Sequence, residues 1–88
     1  MRIKQGYKVR EIAGENVVIM QGHGGVDMTR VIALNDSSIL LWNNLLDIDF
    51  STDDVKHILL ENYEVEEAIA AADAQAWIEK MQQAGLVE

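Results

Sequence analysis

Residues 28–42 read MTRVIALNDSSILLW, and within them the hydrophobic pattern changes from that of a strand to that of a helix. Positions 28–34 are mostly apolar or β-branched on both faces, which predicts a third strand that is partly covered on each side. Asn35 then offers an N-cap side chain, and helical spacing runs from Asp36 to about Asp47. This helix is predicted to bury one face, formed by Ile39, Leu41, Trp42, Leu45 and Leu46.

Two shorter strands are predicted before this stretch, at residues 7–12 and 16–20, because both segments are rich in β-branched residues. Gly14 stands between them as the first central residue of a two-residue turn, where type II′ requires glycine. The glycine-rich segment 22–25 connects strands two and three. It lacks the Lys-Ser/Thr ending and the following helix of a phosphate loop, so we interpret it as a connecting loop.

The segment after residue 50 predicts a second helix with a defined start. Ser51 is its N-cap, and Asp54 completes a capping box. The flanking apolar residues are spaced as a hydrophobic staple: Phe50 and Val55. The buried stripe is predicted to include Tyr63, and Asn62 is interpreted as a left-handed stop.

A third helix is predicted from about Glu66 to Ala84, with Gly85 as its left-handed C-terminal residue. One face carries its main apolar residues: Ala70, Ala74, Trp77, Ile78 and Met81. Nearly opposite lies a shallower stripe, edged by Asp73, Glu79 and Lys80, made of Val65, Ile69, Ala72 and Ala76. That stripe is either a solvent face of good helix formers or a surface that admits another chain. The last apolar pair is predicted to pack back on the fold: Leu86 and Val87.

The length fits one domain over residues 1–88. The predicted elements make it an α+β domain, with a three-stranded antiparallel sheet followed by a three-helix bundle. Seven basic and fifteen acidic residues give a net charge of −8, which disfavours nucleic acid as a partner. No apolar run reaches the roughly 18 residues of a membrane helix, and no secretion signal begins the chain. The expected location is therefore the cytoplasm.

Residues that could carry out chemistry are few. Cysteine is absent, and there are two histidines. His57 lies between Asp53 and Glu61 at helical spacing, a row that either binds a metal or simply faces solvent, and the solvated face is the simpler interpretation. The serines near helix starts are explained by capping. The chain is therefore predicted to be no enzyme and to bind no metal or cofactor.

The predicted sheet must have an unpaired edge, because three strands followed by helices do not close it. Strand three carries one charge, Arg30, and the chain contains no proline, so this strand is poorly protected if it is the edge. We hypothesise that it accepts an added peptide strand, with the shallow stripe of helix three as the second wall of the groove.

Several motifs, in this order and spacing, resemble the coenzyme PQQ synthesis protein D (PqqD-like) family over nearly the whole chain. They are Val31-Ile32-Ala33-Leu34-Asn35 with Ser37-Ser38 and Trp42, Phe50-Ser51-Thr52-Asp53-Asp54-Val55, Leu59-Leu60 with Tyr63, Asp73 with Trp77-Ile78 and Met81, and Ala84-Gly85-Leu86-Val87.

The resemblance implies a winged-helix-like fold that recognises the precursors of ribosomally synthesised, modified peptides. Such proteins bind the leader of the precursor and present it to a modifying enzyme, which for protein D is a radical SAM enzyme. Other members serve other peptide pathways. In the family the leader pairs with the third strand and lies against the third helix. Carried over, the peptide-binding residues are Thr29, Arg30, Val31, Ile32, Ala33, Ile69, Ala72, Asp73 and Ala76.

Two other functions stay open. A winged-helix DNA-binding regulator would have the same order of elements, although helix three offers Lys80 and glutamines among more acidic than basic residues. Alternatively, strand three pairs with a second copy of the chain, as an edge-paired or domain-swapped homodimer rather than a monomer. The sequence does not name the precursor peptide, the partner enzyme or the final product.

Overall fold

The computed structural model describes residues 1–20 and 30–88, so the predictions for positions 28 and 29 and for the glycine-rich segment lie outside the described residues. Three strands come first: β1 (Val9–Ile12), β2 (Glu15–Met20) and β3 (Arg30–Leu34). Three helices follow: α1 (Asp36–Leu45), α2 (Thr52–Asn62) and α3 (Glu67–Ala84). The predicted α+β fold, an antiparallel sheet followed by three helices, is confirmed, and its likeness to a winged helix is approximate.

The turn between β1 and β2 differs from the predicted one. Ile12 pairs with Glu15, so the two turn residues are Ala13 and Gly14. Their φ angles are 53° and 83°, and positive φ at both positions makes a type I′ turn rather than the predicted type II′. Gly14 is therefore the second turn residue, one position later in the turn than predicted.

One face of the sheet packs against the helices around a shared core. Val18 in β2 is fully buried, and Ile32, its partner in β3, packs against the same cluster. From the helices, Trp42 and Val55 are among the largest fully buried side chains, and both belong to that cluster. The main apolar face predicted for α3 is confirmed, because all of its members are buried: Ala70, Ala74, Trp77, Ile78 and Met81.

The predicted N-terminal caps are both formed. Asn35 Oδ1 accepts a hydrogen bond from the backbone N–H of Ser38 at 2.9 Å. Ser51 and Asp54 form a complete capping box, in which the Asp54 N–H donates to Ser51 Oγ at 3.3 Å and the Ser51 N–H donates to Asp54 Oδ2 at 2.8 Å. These side chains satisfy N–H groups that a helix start leaves without intrahelical acceptors.

The end of α3 is a Schellman motif. Gly85 has a φ of 81°, and its N–H donates to the Gln82 carbonyl at 3.1 Å. The N–H of Leu86 donates to the Met81 carbonyl at 2.9 Å, and both of these side chains are fully buried. Gly85 is thus the left-handed residue that the sequence predicted. The predicted packing of the last apolar pair against the fold is also confirmed.

Predictions beyond the ends of two helices are wrong. α1 ends at Leu45, and Leu46 is 41% exposed instead of buried. α2 continues through Asn62 and ends at Tyr63, whose extended backbone (φ −134°) replaces the predicted left-handed stop. Tyr63 is likewise 41% exposed. Helical periodicity assigns a residue to a face only while the backbone remains helical. The residue at which a helix ends is the part of a helix prediction that is least certain.

The first residues of the chain contribute to the fold, which the sequence pattern did not indicate. Ile3 is buried and forms an antiparallel bridge with Val87. The N–H of Phe50 donates to the Met1 carbonyl at 2.8 Å. These contacts join the start of the chain to the segment after α3 and to the residue before the α2 cap.

Candidate functional site

β3 is an edge strand of the sheet. The strand order is β1-β2-β3, and over the described residues β3 pairs with β2 alone. The hypothesis that strand three is an edge is therefore confirmed. An edge of this kind presents a row of backbone donors and acceptors to any extended chain that approaches it.

The register shows which backbone groups point outward from this edge. Ile12 pairs with Glu15 across a two-residue type I′ turn, and the residues that flank such a turn form a hydrogen-bonded pair, so the backbone groups of Glu15 face β1. Backbone groups alternate between neighbours along an antiparallel strand, so those of Asn16 and Val18 face β3. Their partners Leu34 and Ile32 therefore face β2.

The two residues that alternate with them, Val31 and Ala33, have the opposite direction. Val31 and Ala33 direct their N–H and C=O groups to the open edge, which gives two donors and two acceptors.

The side chains of β3 also divide into two sets. Leu34 is buried, and Ile32 is partly buried against the core. Val31 is 58% exposed, and Ala33 is exposed as well. The prediction that both faces of strand three are partly covered is therefore wrong for these two residues, whose side chains are exposed.

A cavity of about 490 Å³ begins where β3 ends. Asn35 follows β3 directly and lines this cavity together with Asp73 and Ala76 of α3. The other lining residues come from all three helices and from the connection between α2 and α3: Ser37, Ser38, Leu41, Leu59, Tyr63, Val65, Trp77 and Lys80. The end of the open edge thus leads into a cavity that α3 bounds.

The structure brings together some of the residues predicted from the family resemblance. Asp73 and Ala76 line the cavity, whereas Ile69 and Ala72 do not. Ile69 is 50% exposed, and Ala72 is also exposed. Because residues three and four apart are neighbours on a helix surface, these four form one stripe on α3. This stripe is exposed, whereas the core face of the same helix is buried.

The predicted strand residues have different surroundings. Arg30 begins β3 and pairs with Met20 in the ladder to β2. Val31, Ile32 and Ala33 follow as described above. Thr29 lies outside the described residues.

Nine of the eleven residues that line the cavity were not predicted as site residues, and two of the nine are exposed, largely apolar side chains. Tyr63 was assigned to the core, and Val65 was noted only as part of the stripe, yet both line the cavity and both are exposed. The sequence gives one indication of their role, which is that both follow Asn62, the last residue of α2. Apolar residues beyond the end of a helix are not part of its buried face.

Trp77 has a polar atom that the fold leaves without a partner. Its indole ring lines the cavity, and its buried Nε1 has no hydrogen-bond acceptor among the described residues. A buried donor without an acceptor costs about 1–3 kcal/mol.

The residues considered for metal binding stay apart from this site. Within residues 1–20 and 30–88 no group of three or more His, Asp or Glu side chains is placed to hold a metal ion. Asp53, His57 and Glu61 are all exposed on α2. Of the helices in the described part of the chain, none is long and apolar enough to span a bilayer.

Comparison with known families identifies the family of the chain. A model of the coenzyme PQQ synthesis protein D (PqqD) family matches residues 16–87, which is most of the chain. The chain belongs to the PqqD family. This membership associates it with PQQ biosynthesis, in which the PqqD family is a binding, non-catalytic component. Comparisons with curated proteins and with solved structures gave no match.

Proposed function

We propose that this PqqD-family protein is a peptide-binding adaptor. The leader of a ribosomally synthesised precursor adds as a fourth strand to the open edge of β3 and lies against the exposed stripe of α3. The protein then presents the precursor to a modifying enzyme of the radical SAM class, in PQQ biosynthesis or a related peptide pathway. The main support is the open edge, with the outward backbone groups of Val31 and Ala33.

The proposed contacts have separate roles. Val31 and Ala33 form the hydrogen bonds to the peptide, whereas Arg30 and Ile32 hold β3 on β2 and set the position of the edge. Ile69, Ala72, Asp73 and Ala76 form the second wall, where small side chains leave room for the peptide. The family resemblance implies Thr29 as a further contact.

Backbone pairing supplies only part of the binding free energy. Four hydrogen bonds at about 0.5–1.5 kcal/mol net give roughly 2–6 kcal/mol. Association itself costs an estimated 4–15 kcal/mol in lost freedom, so apolar burial must contribute the rest. Covering about 300 Å² of apolar surface would add roughly 7 kcal/mol. Exposed Val31 and Ile69 and the cavity provide such surface.

Amide hydrogen exchange tests this proposal at single residues. The protein is labelled with ¹⁵N and mixed with the precursor peptide encoded nearest to its gene. In the free protein the N–H groups of Ile32 and Leu34 are protected by β2, and those of Val31 and Ala33 exchange quickly. Strand addition slows exchange at Val31 and Ala33 and leaves Ile32 and Leu34 nearly unchanged.

A peptide that binds without protecting Val31 and Ala33 would contradict strand addition. Sedimentation at several protein concentrations, with and without peptide, separates this function from self-pairing through β3. A dimer that dissociates when the peptide binds would show that both use the same edge.

A further inference from the structure

We propose that the outer face of the sheet, the side turned away from the core, is the docking surface for the modifying enzyme. On that enzyme it fits an apolar patch bordered by carboxylates. This inference rests on the proposed function, because the enzyme docks beside the bound precursor. It goes further by assigning the surface and the chemistry of the contact.

Strand pairing assigns the side chains of the sheet to its two faces. Val9, Val18 and Ile32 are paired across the three strands, and each belongs to the core cluster or packs against it. Directly paired side chains share a face, and successive side chains along a strand point to opposite faces. The residues that alternate with this row therefore form the outer face. Its apolar members are Ile12, Val17, Ile19, Val31 and Ala33.

The apolar part of the outer face is separate from the core. None of its five apolar residues belongs to the core cluster or packs against it. Ile12 is 50% exposed, Val31 is 58% exposed, and Ala33 is exposed as well. Val17 is buried at the centre, where it pairs with Arg10 on one side and Ala33 on the other. Contiguous apolar surface, in contrast to scattered single residues, is typical of interaction sites.

The charged residues beside this patch indicate which partner it fits. Arg10 lies in β1 and Lys8 directly before it, and both are exposed. Neither forms an ion pair with another described residue. Among the strand residues of the outer face, Glu15 alone is acidic, and it lies beside the turn. Because the chain as a whole has a net charge of −8, this basic margin attracts carboxylates that the rest of the protein repels.

The bound precursor extends the same face. Neighbouring strands share their faces, so every second side chain of an added strand projects from the outer face beside Val31 and Ala33. The enzyme therefore meets the protein and its peptide on one continuous surface. We expect the enzyme to bind the loaded protein more tightly than the free protein for this reason.

The size of the face distinguishes the enzyme from a second copy of the chain. Three strands about 4.8 Å apart, with five residues at about 3.3 Å each, give roughly 240 Å². A stable interface buries about 800 Å² on each partner, so this face by itself is too small to hold a dimer. The modifying enzyme has a second attachment, since it must also bind the precursor. A peptide held by both proteins gives docking an effective concentration of about millimolar.

A substitution with a matched control tests the apolar contact. The probe is the radical SAM enzyme encoded nearest to the gene, titrated into the precursor-loaded protein. Ile12→Asp is expected to weaken enzyme binding at least about tenfold, because it places a carboxylate against an apolar, acid-bordered surface. Ile48→Asp makes the same change at a residue that is 47% exposed outside the sheet, and it should stay within about twofold. Ile12→Thr keeps the β-branched shape and should still lose about threefold, which separates docking from any loss of the hairpin.

A second pair of variants tests the charge. Arg10→Glu is expected to weaken enzyme binding about fivefold and to reduce the salt dependence of the association rate. Lys4→Glu makes the same change in net charge outside the three strands, so it controls for overall charge. The affinity for the precursor alone should stay within about twofold in all of these variants, because none of them alters β3 or α3.

Isoleucine methyl NMR with cross-saturation from the enzyme reports the docking surface directly. Saturation is expected to reach the methyl groups of Ile12 and Ile19 but not those of Ile48 or buried Ile78. Transfer to Ile48 instead, no transfer to any methyl group, or equal effects of Ile12→Asp and Ile48→Asp would overturn the docking surface. Ile12 shifts that depend on the concentration of the protein alone would assign the face to a second copy and also overturn it.

The failure of this inference can be distinguished from failure of the proposed function. If the precursor still protects the amides of Val31 and Ala33, strand addition stands without the docking surface. If the precursor leaves these amides unprotected in the unchanged protein, the proposed function fails first, and the docking surface fails with it.

Discussion

Replacing Val31 with proline removes one outward donor from the edge of β3. The register directs the Val31 N–H away from β2, so this substitution breaks no hydrogen bond within the sheet. Proline is tolerated on edge strands for this reason. The side chain of Val31 is 58% exposed, so little core packing is lost. We expect Val31→Pro to fold normally and to bind peptide less tightly.

The expected size follows from the number of bonds lost. One N–H···O=C bond contributes about 0.5–1.5 kcal/mol net. Because about 1.4 kcal/mol is a factor of ten in Kd, binding should weaken roughly two- to tenfold. Val31→Thr is the matched control, since it keeps the β-branched shape and the N–H group. Its affinity should remain within about twofold of the unchanged protein.

Calorimetric titration with the precursor peptide measures the affinities, and urea unfolding of each variant measures stability. The free energy of unfolding of Val31→Pro should change by less than about 1 kcal/mol, because its N–H has no partner in the free protein. Unfolding of the proline variant under native conditions would show that the assigned direction of the Val31 N–H is wrong. Equal losses of affinity for proline and threonine would remove the hydrogen bond from the explanation.

Three further outcomes follow from the described contacts. Ser51→Ala should lower the free energy of unfolding in urea by about 1 kcal/mol, because the Asp54 N–H loses its acceptor, Ser51 Oγ; an unchanged midpoint would contradict that role. Gly85→Ala should cost about 1–2 kcal/mol because its φ is 81°, and Gly85→Asn should cost less; equal losses would argue against backbone strain. On a heparin column at low salt the protein should flow through, since its net charge is −8, and retention would favour the DNA-binding alternative.

Features that depend on neighbouring residues could be read from the sequence. The Asn35 cap, the Ser51–Asp54 capping box and the Gly85 stop each involve groups within five residues of one another, and each is formed. The core face of α3 was also predicted apart from Ala84, since an 18-residue helix repeats its pattern several times. Short-range geometry leaves few alternatives for such features.

The errors occur where a local pattern meets the end of an element. Leu46 and Tyr63 continue the apolar spacing of α1 and α2, but the backbone has left the helix at both positions. The turn at Ala13 and Gly14 was predicted one residue too late in the chain. Its position and type are set by the pairing of Ile12 with Glu15, which is a contact between the two strands.

The candidate site is a property of the assembled molecule. Whether strand three is an edge depends on its pairing with β2 rather than on its own residues, and the outward direction of Val31 follows from a register that begins at Ile12 and Glu15. The cavity joins Asn35, Tyr63 and Asp73 from three separate parts of the chain. Residue order sets helix ends and buried faces because these arise from contacts within a few turns. An open strand edge depends on which strands pair, and a cavity is a space between elements. Both therefore exist only once distant segments have packed together.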